Sequence, residues 1–370
     1  MRSHLMRAVN DVGFQKCLGT RCRCCSFVDG GGQPRAGGRS GAGRNTDCRS
    51  WRRGRSGAGV HSRGRIQDGQ HGGGASLGDG HRRRRDSGNR RESYEGEQPR
   101  AMRVADGFWM GRTEVSVGQF RRFVDESGYV TDAEKPGGQP HCFDPEWEIS
   151  AIAPPHPWIP SPGKSWRDPG FGFPLRSVYP VVCVSWNDGR AFCAWLTERE
   201  RMAGRLPKGL EYRLPTETEW AYACRGGRES TYFWWGNDLK EGEGRLNISA
   251  VDFLPGRNKI WPLANAPWSD GFAFVSPVDH YGQRGRNGFG LADMCGGVWE
   301  IVLDHFDPLG GHEQLYVTDS NYRPVCRGGN YFDVPGNARC AVRLGLQGPA
   351  YGDSRDGFRI CLGVPRDVRN

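Results

Sequence analysis

The groups with the widest chemical reach lie in Arg327-Gly-Gly-Asn-Tyr-Phe-Asp-Val-Pro-Gly-Asn-Ala-Arg-Cys-Ala-Val-Arg343, closed off by Asp356-Gly-Phe-Arg-Ile-Cys361. Gly328-Gly329 gives the backbone access to positive φ, and Pro335-Gly336-Asn337 signals a turn, so the stretch reads as two extended segments joined by a loop. An acid, two amides and an aromatic ring (Asp333, Asn330, Asn337, Tyr331) could hold a ligand there, since rigidly flanked loops are where binding groups concentrate. The same residue types occur in the turns of any glycine-rich β protein, so a structural reading stands beside the functional one. Thiols are the other reactive class. Of thirteen cysteines, five precede residue 100 and eight follow it. Cys22-Arg-Cys-Cys25 resembles half of a zinc site, but no second half follows at ligand spacing.

Charge and glycine divide the chain. The first hundred residues carry 21 Lys+Arg against 9 Asp+Glu and 21 of the 56 glycines, whereas 12 of the 13 tryptophans lie beyond them. The net charge of +9 therefore belongs to the N-terminal part. It gives no argument that the folded part binds nucleic acid. With Arg82 to Arg85 in a row and few aliphatic residues, segment 1–85 cannot bury enough apolar surface to offset chain entropy, and disorder is expected there. Electrostatic binding to nucleic acid and GC-rich DNA translated out of frame are the alternatives for this segment. A domain over 86–365 and a short tail at 366–370 are expected. No apolar run is long enough to cross a membrane. A periplasmic or secreted location would follow if the true N-terminus carried a signal peptide, and a cytoplasmic one otherwise.

The elements that must position these groups can be read in order. Residues 96–104 predict a strand leading into 108–115. Ser116 can cap a helix whose Val117, Phe120 and Val124 make one apolar face, ended by Gly128. The passage 136–180, rich in Pro and Gly with Trp147, Trp158 and Trp166, predicts an irregular segment pinned to the surface by its tryptophans. Pro180 to Trp186 predicts a short buried strand by its β-branched content. Ser185 with Asp188 predicts the cap of a helix over Trp186–Leu196. Thr216 with Glu219 forms a capping box before a helix that Gly226-Gly227 terminates. From Phe233 to Leu362 short strands and glycine turns are expected.

Several stretches in this order resemble the formylglycine-generating enzyme family, the sulfatase-modifying factor domain. They are Thr113-Glu-Val115, Gly128-Tyr-Val-Thr-Asp-Ala-Glu-Lys135, Pro180-Val-Val-Cys-Val-Ser-Trp-Asn-Asp188, Tyr212-Arg-Leu-Pro-Thr-Glu-Thr-Glu-Trp220, Asn287-Gly-Phe-Gly-Leu-Ala-Asp-Met294, Val298-Trp-Glu300, Arg327-Gly-Gly329 and Gly357-Phe-Arg359. The resemblance implies an α+β fold of the C-type-lectin-like kind, turn-rich and low in regular secondary structure, that binds calcium. Active members oxidise a sulfatase cysteine to formylglycine with a pair of copper-binding cysteines, soft ligands suited to Cu(I). In the family that pair lies between the Arg-Gly-Gly turn and the Arg-Cys-Ala segment. Here Asn330 to Ala338 contains no cysteine, so copper is not expected and no catalytic residue is assigned. The reading is a non-catalytic, calcium-stabilised module for a protein, peptide or glycan ligand, expected to be a monomer; the alternative is the copper-dependent oxidase.

By the same resemblance, Asn247, Ile248, Asp270 and Phe272 are the expected calcium ligands, a hard-oxygen set of side-chain and backbone groups. Gly297 replaces the asparagine of a second site, leaving Glu300 alone. Cys224 and Cys340 align with a family disulfide. Cys193 aligns with another whose partner, Cys361, is one residue out of register, which on a strand turns the sulfur to the opposite face. Some lectin-like relatives carry a ligand surface between Arg-Gly-Gly and Gly-Phe-Arg. The expected contact set here is Trp299, Asn330, Tyr331, Asp333, Asn337, Arg343 and Tyr351, with Gln347 and Asp353 nearby.

Overall fold

Three helices open on capping boxes, and each cap is a residue whose side chain and backbone were suited to it. In the computed structural model, which describes residues 14–17, 65–68, 100–104, 106–144, 157–251, 266–307 and 322–366, helix α1 runs Val117–Ser127 behind Ser116 and ends on Gly128 at φ 67°. Helix α2 runs Trp186–Met202 behind Ser185, with Asp188 closing the box. Helix α3 runs Glu217–Arg225 behind Thr216, with Glu219 closing the box and Gly226 at φ 58° as terminator. Such reciprocal caps satisfy N–H groups that a helix start would otherwise leave open. A four-residue turn of helix, α4, lies at Gly282–Gly285. Helix α2 continues past the expected Leu196 by more than a turn. Glu200 explains the extension: buried itself, it pairs with Arg205 and Arg199 and fastens the last turn.

The strands are short: β1 Phe14–Cys17, β2 Arg65–Asp68, β3 Arg100–Arg103, β4 Phe108–Gly111, β5 His141–Phe143, β6 Trp158–Pro160, β7 Glu211–Arg213, β8 Trp299–His305, β9 Pro324–Arg327, β10 Arg343–Gly345, β11 Asp356–Gly357 and β12 Cys361–Gly363. One sheet has the order β1-β4-β12-β7 and the other β10-β9-β8-β11, with β2-β3 and β5-β6 as separate pairs. Two apolar clusters make the core. The first gathers Phe120, Trp158, Trp166, Trp186, Phe358 and their neighbours; the second gathers Met110, Trp220, Trp234, Trp235, Met294 and theirs. In α1 the predicted face of Val117, Phe120 and Val124 is buried, joined by Phe123.

Three expectations are corrected. Residues 180–186 form no strand beyond an isolated bridge between Ser116 and Pro180. Val181 to Val184 are wholly buried, but Cys183 sits at φ 55°, and its amide goes to Asp353 while that of Val181 goes to Val115. The β-branched content reported burial and not extension. Trp158 and Trp166 are not surface pins: they fill the first core cluster. Trp147 lies outside the described residues. The disorder expected of segment 1–85 does not extend to residues 14–17, which form β1 and pair antiparallel with β4. Phe14 packs on Tyr212 with ring centroids 5.5 Å apart, and Cys17 joins the second cluster. Among the described residues, no helix is long and apolar enough to cross a membrane.

Candidate functional site

The loop after β9 begins with the two glycines that its sequence required, Gly328 at φ 98° and Gly329 at φ 76°. A Cβ on Gly329 would lie 2.9 Å from the Cα of Ala338, so the two ends of the loop touch where no side chain fits. Within it, Asp333 is the organising group. Its Oδ2 accepts from the Asn330 backbone N–H at 3.1 Å and from Asn330 Nδ2 at 2.6 Å, and its Oδ1 accepts from Asn337 Nδ2 at 2.8 Å. Asn330 Oδ1 in turn accepts from the Phe332 N–H at 2.7 Å. The amides and acid predicted as ligand contacts are thus used to hold the loop's own shape.

The rest of the expected contact set is dispersed. Tyr331 is buried against Phe171 and Phe274, each at 5.7 Å, and burial pushes its phenol well above the usual range. Trp299 lies in the first core cluster. Arg343 is buried, its Nη2 donating to Glu217 Oε2 at 2.8 Å, and Arg327 donates from Nη1 to Glu217 Oε1 at 2.8 Å. One carboxylate therefore holds two guanidinium groups beneath the loop. Tyr351 is half-buried, its hydroxyl donating to Asp353 at 3.0 Å, and its ring lies 4.9 Å from His141. Gln347 is exposed. Asn330, Tyr331, Trp299 and Arg343 are corrected from surface to interior positions. Polar type marked them as contacts, but a turn-rich fold spends such groups inside.

The expected calcium ligands do come together. Asp270 Oδ2 accepts from Asn247 Nδ2 at 2.9 Å and from the Ile248 N–H at 2.8 Å, while Oδ1 accepts from the Phe272 N–H at 3.0 Å. Asn247 Oδ1 points away, accepting from the Ser276 N–H at 3.1 Å. The residue types suit a hard cation, yet this hydrogen-bond network already satisfies the carboxylate. At the degraded second position, Glu300 is fully committed to Arg359 and to Trp220 Nε1 at 2.7 Å. Gly297, in the asparagine's place, faces Glu114, whose Oε1 would be 3.1 Å from an added Cβ. Burial, with Asp293 beside it, pushes the Glu114 carboxyl well above the usual range.

The thiols nearest the loop pack in different apolar clusters. Cys326 belongs to the first core cluster and Cys340 to the second. Cys193 lies in the first cluster and Cys361 in the second, each as a free thiol. Cys224 and Cys340 are adjacent, with sulfurs 2.9 Å apart, but both are free thiols. A disulfide requires about 2.05 Å. A third sulfur, with no motif to announce it, completes the group. Cys295 lies with them, all three Sγ atoms within 4.8 Å of one another and all buried. Its position, 71 residues from Cys224 and 45 from Cys340 in number alone, offers no spacing signal; only the fold unites them. Burial would raise Cys340, but hydrogen bonds with Cys224 and Cys295 and the charges of Arg225 and Arg327 hold it well below the usual thiol range. Burial pushes Cys224 and Cys295 well above it.

An open cleft of about 500 Å³ lies apart from these groups, between 133–139 and 162–165. Its lysines are each paired, Lys135 with Asp132 and Lys164 with Asp168.

The family profile of the sulfatase-modifying factor enzyme 1-like domain matches residues 70–363. Over 268 residues, 67% of this chain, the sequence is 35% identical to the formylglycine-generating enzyme of Mus musculus; the chain spans 64% of that enzyme's length, just under two thirds. It is 31% identical over 295 residues to the inactive C-alpha-formylglycine-generating enzyme 2 of Mus musculus, covering 74% of this chain and 81% of that one. Among solved structures, PvdO from Pseudomonas aeruginosa superposes with a TM-score of 0.53 at 20% identity, over 81% of this chain and 92% of that one. The turn-rich α+β architecture is the C-type-lectin-like fold of these proteins, and with a profile match across most of its length the chain belongs to the sulfatase-modifying factor, or formylglycine-generating enzyme, family.

Proposed function

We propose that this chain is a non-catalytic member of its family, a binding module that keeps the fold without cysteine oxidation. The observation that carries the reading is the loop from Asn330 to Ala338. It contains no thiol, and its acid and amides close on one another. The flanking thiols Cys326 and Cys340, the nearest substitutes, pack in different apolar clusters, and the sulfur group that contains Cys340 does not include Cys326. Similarity to a relative named as inactive agrees with this. A protein, peptide or glycan ligand would meet the half-buried rim of the loop, Phe332, Asp333 and Asn337, together with Gln347 and Tyr351.

Calcium is proposed as a stabiliser at Asn247, Ile248, Asp270 and Phe272. Asp270 would supply the charge and backbone carbonyls the remaining oxygens. Because the loop pair is already hydrogen-bonded, the ion adds stability without being required for folding.

Incubation with Cu(I), reductant, oxygen and a Cys-x-Pro-x-Arg peptide, beside an active family member, tests the reading. The peptide is expected to be recovered unchanged by mass. Conversion of its cysteine to the aldehyde, abolished by Cys326→Ala, would overturn the non-catalytic assignment.

A further inference from the structure

Three buried sulfurs meet where the fold brings together three separate segments. Cys224 comes from the last turn of α3, Cys295 from the passage before β8, and Cys340 from the segment before β10. Cys295 is held in place from both sides: the Gly296 N–H donates to the Gly328 carbonyl and the Gly297 N–H to the Asn247 carbonyl, each at 2.8 Å. At Gly296 a Cβ would lie 2.2 Å from the Asn247 oxygen, so the backbone beside Cys295 is pressed against its neighbour. Positive charge lies close by. Arg327 donates from Nη2 to the Cys340 carbonyl at 2.8 Å, and buried Arg225 follows Cys224 directly.

We propose that Cys224, Cys295 and Cys340 form a three-thiolate site for a soft monovalent cation of the Cu(I) class. The donor set decides the class. Among the described residues, the group contains sulfur only, with no His, Asp or Glu joining it. Zinc in a closed structural site takes four ligands, and calcium takes oxygens. Thiolates select Cu(I), which accepts three coplanar sulfurs. A metal–sulfur bond of about 2.3 Å spaces three such sulfurs about 4.0 Å apart, within the 4.8 Å envelope of the present cluster. Cys224 and Cys340 then separate by about 1 Å from their 2.9 Å contact while all three thiols lose their protons to solvent. A disulfide between Cys224 and Cys340 would leave Cys295 without a role.

The site is separate from the loop at 330–338 and implies no oxidase activity. The ion would be structural, tying α3 to the segments before β8 and β10.

The test is anaerobic titration of the reduced full-length chain with Cu(I) against a chromophoric chelator. The background carries Cys22→Ser, Cys24→Ser and Cys25→Ser, because those thiols are also closely spaced. One equivalent is expected to bind, with a thiolate-to-copper ultraviolet band and three sulfurs per copper by X-ray absorption. Cys295→Ser should weaken binding at least tenfold, while Cys142→Ser, removing one member of the other thiol contact (3.7 Å to Cys183), should leave it unchanged. Wild-type affinity in Cys295→Ser would overturn the proposal, as would loss of binding in Cys142→Ser. Two sulfurs per copper, or Cys224 and Cys340 recovered as a disulfide from reductant-treated protein that then binds no copper, would do the same. If Cys295→Ser fails to fold, the sulfur count in the parent protein decides alone.

Discussion

Glu217 is a carboxylate whose removal should be strongly felt. It lies between two buried cations, accepting from Arg327 Nη1 at 2.8 Å and from Arg343 Nε and Nη2 at 2.5 and 2.8 Å. Arg327 and Arg343 are respectively 0% and 2% exposed, so neither can turn to water when its partner goes. Breaking a buried pair on one side costs about 3–5 kcal/mol because it strands the remaining charge. Here two charges are stranded, but each keeps a carbonyl acceptor: Cys340 for Arg327 and Asp307 for Arg343. The expectation for Glu217→Ala is therefore the upper part of that range, about 4–5 kcal/mol. Arg343→Met should cost less than half as much, since it leaves Glu217 and Arg327 as a one-to-one pair and replaces the guanidinium with an apolar chain beside Phe306. Urea unfolding followed by tryptophan fluorescence would give both values. Equal costs for the two variants, or a loss under about 1 kcal/mol for Glu217→Ala, would refute the assignment of Glu217 as the shared counter-charge.

Asp188 gives a pH signature: burial pushes its carboxyl up to about 6 from 3.8. The folded state then holds the proton more tightly than the unfolded chain, so this contribution to stability is present below about pH 4 and is lost as pH rises through about 6. It amounts to about 2–3 kcal/mol. Asp188→Asn, which can still accept from the Ser185 N–H, should flatten that part of the stability profile measured from pH 4 to 7; an unchanged slope would refute it. Gly329→Ala should cost about 2–4 kcal/mol, combining positive-φ strain with overpacking against Ala338, and a chemical melt within about 0.5 kcal/mol of the parent would show that the loop ends are not in contact. Calcium at a hundred times its dissociation constant should add about 2.7 kcal/mol, read as a rise in melting temperature over chelator-treated protein. Asp270→Ala should abolish that rise, and its survival would exclude the Asn247–Asp270 site.

Local chemistry was legible where it is decided locally. The three helix starts followed from Ser116, Ser185 and Thr216 with their partners three residues on, and the positive φ of Gly328 and Gly329 followed from the turn they make. Burial without periodicity misled. Val181 to Val184 are as apolar as a central strand but are held by single hydrogen bonds to scattered neighbours. The loop's Asn330 and Tyr331 carry the types of a contact surface and are interior, because in a fold with few ladders side chains must close the turns. Cys295 was invisible for the opposite reason: nothing near it in the chain announces a partner, and its two sulfur neighbours are supplied by other elements.

The order of the first sheet bears on how the chain is made. Strand β4 is bordered by β1, from residues 14–17, and by β12, from residues 361–363. Its second neighbour is synthesised about 250 residues after it, which at about 5–20 residues per second means a wait on the order of 10–50 s. Through that interval the nascent polypeptide has an open edge at Met110 and Trp109, the residues that later meet Cys361 and Leu362. Emergence of Cys361 and Leu362 from the ribosome, rather than any local nucleation event, should therefore set when this protein becomes resistant to proteolysis, and a stop codon before Cys361 should leave a product that chaperones retain.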